Sequence, residues 1–170
     1  VTPTGTFATT AQAAANATTT WWATATDAAG NVSQCSTPIA YTHNTRVPDA
    51  PVITGSNPTS PSRTNTNPTL NGTTNAGPNA TVQIFAQVAC GGEIIASATT
   101  SGAFALPVVA NENTTTAFTA RVRDEAGNLS ACSETFLYAH DSIVPEAPTL
   151  TGTTPESPSA AQLTPTVYGA

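Results

Sequence analysis

Apolar residues in this chain come in short stretches, many at every second position, and the stretches are broken by Gly, Pro, Asn, Asp and Ser. Between residues 115 and 123, Phe118, Ala120 and Val122 alternate with Thr119, Arg121 and Arg123. Successive side chains on a strand point to opposite faces, so this spacing predicts a strand with one buried face and one wet face. Trp21, Ala23 and Ala25 carry the same pattern, which turns Trp22 outward. The same reading places strands near Pro51–Gly55, Pro68–Thr73, Thr81–Val88, Ile94–Thr99, Ala103–Val109, Thr115–Arg123 and Leu129–Ala139.

The pattern recurs at a fixed distance. Residues 1 to 73 return without a gap as residues 98 to 170, an offset of 97, with about two in five positions identical. Asp27-Ala28-Ala29-Gly30-Asn31 returns as Asp124-Glu125-Ala126-Gly127-Asn128, and Cys35, Tyr41, His43, Pro48 and Pro51 return as Cys132, Tyr138, His140, Pro145 and Pro148. Self-similarity over that length reads as a string of similar domains rather than one domain with a single active site. Counted in repeats, the chain holds the C-terminal part of a first unit (1–43), a complete unit (44–140) and the N-terminal part of a third (141–170). The expectation is therefore a segment of a longer polypeptide.

Composition narrows the class. A fifth of the residues are Thr, there is no Lys or Met, and Pro, Gly, Asn and Ser fill the spaces between apolar stretches. Strand and turn formers dominate over helix formers, which makes the chain all-β. Seven short strands in one 97-residue unit fit a seven-stranded immunoglobulin-like β-sandwich, here in tandem. Arg46, Arg63, Arg121 and Arg123 are the only fixed cations against ten carboxylates, so nucleic-acid binding has no electrostatic footprint. No apolar run is long enough to insert into a membrane as a helix.

Each Asp-x-Ala-Gly-Asn segment lies between two expected strands. Asp27 and Asp124 are placed to accept backbone N–H bonds across a turn, Gly30 and Gly127 to take the positive φ that closes a hairpin, and Asn31 and Asn128 to end it. Asp-x-Ala-Gly-Asn-x-Ser, with Val47-Pro48-Asp49-Ala50-Pro51 or Val144-Pro145-Glu146-Ala147-Pro148 some fifteen residues on, resembles the bacterial Ig-like repeats of large secreted and surface adhesins. The resemblance covers essentially the whole chain. It implies an extracellular or cell-surface stalk whose partners are neighbouring repeats of the same chain. At the unit boundaries the first expectation is a turn-capping Asp with a proline-stiffened linker. The alternative that the resemblance suggests is Ca²⁺, for which Asp124, Asp141 and Glu146 would supply hard oxygen ligands, with Asp27, Asn44 and Asp49 as counterparts. Otherwise no cofactor is expected.

Cys90 comes after the third expected strand and Cys132 falls in the last strand of the same unit. Cys35 is the counterpart of Cys132, and its own partner would precede residue 1. One disulfide per unit, closing a 42-residue separation, is the expected arrangement in an oxidising compartment; buried free thiols are the alternative. His43 and His140 occupy equivalent positions at a domain junction, and no nucleophile or second base accompanies them in sequence, so a non-catalytic chain is expected. Trp22 invites a sugar-stacking role, but its counterpart is Thr119, so the feature is not shared between units. The leading expectation is a structural spacer. A surface filament in which several copies pack or exchange strands is the second, and a glycan-binding module the third.

Overall fold

The computed structural model describes residues 5–170; the first four residues of the expected 1–43 segment lie outside the described residues. The chain is all-β, with eleven strands among the described residues: β1 Thr18–Trp21, β2 Ile39–Thr42, β3 Val52–Asn57, β4 Thr69–Thr73, β5 Ala80–Phe85, β6 Ile94–Thr100, β7 Ala103–Pro107, β8 Thr115–Arg123, β9 Phe136–Ala139, β10 Leu150–Thr154 and β11 Thr166–Gly169. They form a three-stranded sheet in the order β3-β4-β7, a four-stranded sheet in the order β6-β5-β8-β9, and two separate pairs, β1-β2 and β10-β11. Every strand pairing is antiparallel.

The core lies between the larger two sheets. Leu70, Phe104 and Leu106 from one sheet meet Val82, Ile84, Phe118, Ala120, Val122 and Tyr138 from the other. Full burial of the Val, Leu, Ile and Phe side chains among them stabilises by about 1.5–3 kcal/mol each, so this cluster is the main favourable term. Two details let it close. Gly72 sits opposite Phe104 in the β4–β7 register, and a Cβ there would collide with the Phe104 ring and the Val52 carbonyl. The buried Tyr138 donates its hydroxyl hydrogen to the Asn65 carbonyl at 2.7 Å, which satisfies the one polar atom of its side chain.

Register is shared between positions 97 residues apart. Trp21 pairs with Ile39 as Phe118 pairs with Phe136, and Thr18 pairs with Thr42 as Thr115 pairs with Ala139. The β3–β4 pairing shifts between Ile53 and Gly55, and the β10–β11 pairing shifts at the counterparts Leu150 and Gly152. A register shift is imposed by local backbone geometry, so its recurrence comes from the recurring residues.

The structure corrects two strand assignments and one face. The third strand of the sandwich ends at Phe85 and gives way to a single turn, Val88–Cys90. The last strand begins at Phe136; Leu129 makes only an isolated bridge to Arg123, and Cys132 therefore precedes the strand. Thr119, placed on the wet face by alternation, is fully buried. Its Oγ1 donates to the Gln87 carbonyl at 2.6 Å and accepts from the Cys90 N–H at 3.1 Å. A long-range contact overrides the local pattern: the Val88–Cys90 turn folds over β8, and Thr119 is the hydroxyl that pins it.

Ala89 and Cys90 both take positive φ, 55° and 53°, a region that costs a non-glycine residue about 1 kcal/mol or more. Thr119→Val keeps the shape of the side chain and removes both bonds. It is expected to lower sandwich stability by about 1–3 kcal/mol in urea denaturation, the loss of two part-buried hydrogen bonds. A midpoint unchanged from the parent would show that the turn does not depend on this hydroxyl.

Candidate functional site

The residues singled out by the sequence gather in three places: a disulfide beside β8, a turn at the C-terminal end of β8, and the connectors around residues 44 and 141. Cys90 and Cys132 are bonded to each other, with Cα atoms 5.7 Å apart. The bond joins the turn after β5 to the segment before β9, two stretches that flank β8. It therefore staples one end of the four-stranded sheet rather than joining one sheet to the other. Cys35 is free and exposed.

Both Asp-x-Ala-Gly-Asn segments form closed turns of the same kind. Asp27 Oδ1 accepts from Ala29 N and Asn31 N, each at 2.9 Å, while Oδ2 accepts from Asn31 Nδ2 at 2.8 Å. At the counterpart, Asp124 Oδ1 accepts from Asn128 N at 2.7 Å and Oδ2 from Asn128 Nδ2 at 2.8 Å. Gly30 and Gly127 lie at φ of 90° and 95°, values that an L side chain rarely adopts. Hydrogen bonds to the charged form hold both carboxyls below their ordinary range. For Asp27 the Asn31 side chain contributes most, with the Asn31 backbone next. For Asp124 partial burial pushes the carboxyl up, and the bonds from the Asn128 side chain and the turn backbone together outweigh it.

The connectors are tied as tightly as the turns. His140 is buried, and its Nδ1 accepts from Asn113 N at 3.1 Å. Asn113 Oδ1 in turn accepts from Ser142 N at 2.8 Å and Ser142 Oγ at 2.9 Å. The same three bonds join His43, Asn16 and Thr45 at 3.1, 2.8 and 3.0 Å. Asn16 and Asn113 sit at φ of 53° and 52°, in the left-handed region that asparagine tolerates. Motif and spacing do not mark these two asparagines as ties of the connector. The available signal is their recurrence at the 97-residue offset, each ahead of a threonine-rich strand.

Of the carboxylates expected to converge on a cation, Asp124 faces amides. Its Oδ2 accepts from Asn44 Nδ2 at 3.1 Å in addition to Asn128. Asp141 is exposed, and its Oδ1 accepts from Ile143 N at 3.0 Å. Asp49 Oδ2 accepts from Asn75 Nδ2 at 2.6 Å, and its counterpart Glu146 is exposed. Among the described residues no group of three or more His, Cys, Asp or Glu side chains is gathered as a ligand set. Trp22 is exposed and, with Phe7, Trp21, Ile39 and Tyr41, lines an open cleft of about 1000 Å³.

No protein-family model, curated protein or solved structure matches this chain.

Two measurements bear on the site. Cys90 and Cys132 should appear as one linked peptide in a non-reduced digest, and replacing both by serine should cost roughly 4 kcal/mol for a closed loop of 42 residues. Recovery of both as alkylated thiols without prior reduction would contradict the bond. The pH dependence comes from the lowered carboxyls. A group whose folded value lies below its unfolded value of 3.8 stabilises the fold fully above that value and loses the contribution as pH falls through the folded value. Asp124→Asn should therefore flatten the loss of stability on acidification below about pH 4, while changing its slope little near neutrality.

Proposed function

We propose that this chain is a stretch of a non-catalytic extracellular spacer, built from tandem immunoglobulin-like sandwiches of 97 residues that hold another part of a bacterial surface protein away from the cell. The units would run 1–43, 44–140 and 141–170. The observation that carries the reading is that residues and hydrogen bonds recur together at the same offset, in the strands and also in the connectors. The His43–Asn16–Thr45 tie returns as His140–Asn113–Ser142 to within about 0.1 Å in each bond. A connector that is specified as closely as the strands belongs to a chain whose spacing matters.

Further features support the immunoglobulin-like reading. The antiparallel sheets β3-β4-β7 and β6-β5-β8-β9 are consistent with that reading, and Ser62 makes a parallel bridge to His140, so the chain after β3 crosses to run beside the end of β9. The disulfide departs from the antibody-domain pattern because it does not cross between the sheets. It supports an oxidising compartment, where such bonds persist. Both histidines are occupied in tying connectors, a structural role rather than a chemical one.

An assembled filament, in which copies pack or exchange strands, is the second reading. Phe7, Ile39 and Leu150 are 79%, 70% and 73% exposed, as expected of partial units whose remaining strands would cover them, so their exposure favours neither reading. Their relatives in the central sandwich show what such faces pack against when paired. Phe104, the counterpart of Phe7, is buried.

Small-angle scattering separates the two readings. Polypeptides carrying residues 44–140 in one, two and four tandem copies should be monomeric, and their longest dimension should grow by roughly 40 Å per copy, given strands rising about 3.3 Å per residue and a short connector. Association at micromolar concentration, or failure of one copy to melt cooperatively, would favour the filament.

A further inference from the structure

The connector residue Asn44 is bonded across 80 residues of sequence to the turn at the end of β8. Its side chain divides its work. Oδ1 accepts from Arg46 N at 3.0 Å and closes a local turn, leaving the Nδ2 arm free to face outward from the connector. That arm donates to Asp124 Oδ2 at 3.1 Å, and the Asn44 carbonyl accepts from Asn128 Nδ2, also at 3.1 Å. One residue of the connector therefore offers a donor and an acceptor to a turn that presents the complementary acceptor and donor. The residues on either side are bound the other way. His43 Nδ1 accepts from Asn16 N, and Thr45 donates through N and Oγ1 to Asn16 Oδ1. Residues 43 and 45 are thus held by the segment before the connector, and residue 44 by the sandwich after it.

We propose that the Asp124-x-Ala-Gly-Asn128 turn is a docking site for the amide side chain of the connector that leads into its own sandwich, and that this contact sets the angle at the joint. The chemistry selects an amide. With Oδ1 committed to the local turn, the second arm of residue 44 must donate, because the atom it meets is a carboxylate oxygen that already accepts from Asn128. A carboxylate in the same place would keep the local turn and bring two negative charges together. Asp141 shows that the local turn tolerates the exchange: it stands at the offset position and accepts from Ile143 N at the same 3.0 Å. Of the two bonds, the one to the Asp124 carboxylate has a charged acceptor and is the stronger, the one from Asn128 to the Asn44 carbonyl is neutral, and together they close a joint whose connector is already stiffened by Pro48 and Pro51.

As a stalk component the joint rests on the spacer reading, whereas the amide–carboxylate contact does not. The test uses the whole 170-residue chain. Backbone ¹⁵N relaxation should give order parameters of about 0.85 at residues 44 to 47 in the parent chain and below about 0.6 in Asn44→Asp, with Asn44→Ala behaving alike. The melting temperature of the sandwich should stay at the parent value, since Asn44 lies outside its core. Residues 44 to 47 that remain rigid in both variants would overturn the proposal, as would a connector already flexible in the parent chain. A failure of the spacer reading would show instead in the scattering from tandem copies, with relaxation at the joint unaffected.

Discussion

Strand β8 is the member on which the rest of this molecule depends. It lies between β5 and β9 in the four-stranded sheet, and its inward side chains Phe118, Ala120 and Val122 are buried against the other sheet. Its two ends carry the two connectors. Asn113, just before it, binds His140 and Ser142 of the outgoing chain; Asp124, just after it, binds Asn44 of the incoming chain. A strand of nine residues spans about 30 Å, so the incoming and outgoing chains are held at opposite ends of one rigid rod.

This arrangement accounts for where hydrogen-bonding residues accumulate in a chain with few charges. Backbone groups at strand ends and in connectors have no ladder partner and must find side chains or water. Here Asn, Asp, Ser, Thr and His supply them: Ser133 Oγ accepts from Ala120 N, and Ser130 Oγ accepts from Val122 N, each at 2.9 Å, along the side of β8 that β9 does not reach. Their counterparts Ser36 and Ser33 make the same bonds to Ala23 and Ala25. Short polar side chains thereby take over the edge of the strand where the ladder stops, which is why the last strand is shorter than its apolar content suggests.

The disulfide and Thr119 act on the same stretch from different sides. Folding the Val88–Cys90 turn over β8 covers Thr119 and forces two non-glycine residues into positive φ. Thr119 supplies hydrogen bonds that exist only in the folded state, whereas the disulfide restricts the unfolded chain. At the offset position Trp22 replaces Thr119 and is 59% exposed. An indole has no oxygen to accept from a backbone N–H, so it cannot pin a turn in this way.

Much of this was legible in the residues themselves. Alternation located the strands, because a two-residue period is a local property of extended chain, and the Asp-x-Ala-Gly-Asn turns could be read because their bonds close within five residues. The 97-residue offset put His43 and His140 in equivalent places. What the tertiary structure alone decided are the contacts between distant positions. Thr119 is buried because a turn some thirty residues away lies on it, and Cys132 stands before a strand because serine side chains take over the preceding edge. Asp124 meets the amide of Asn44 because β8 carries the turn back to the start of its own sandwich. No periodicity encodes such pairings. They depend on which surfaces the two sheets bring together once the core has closed.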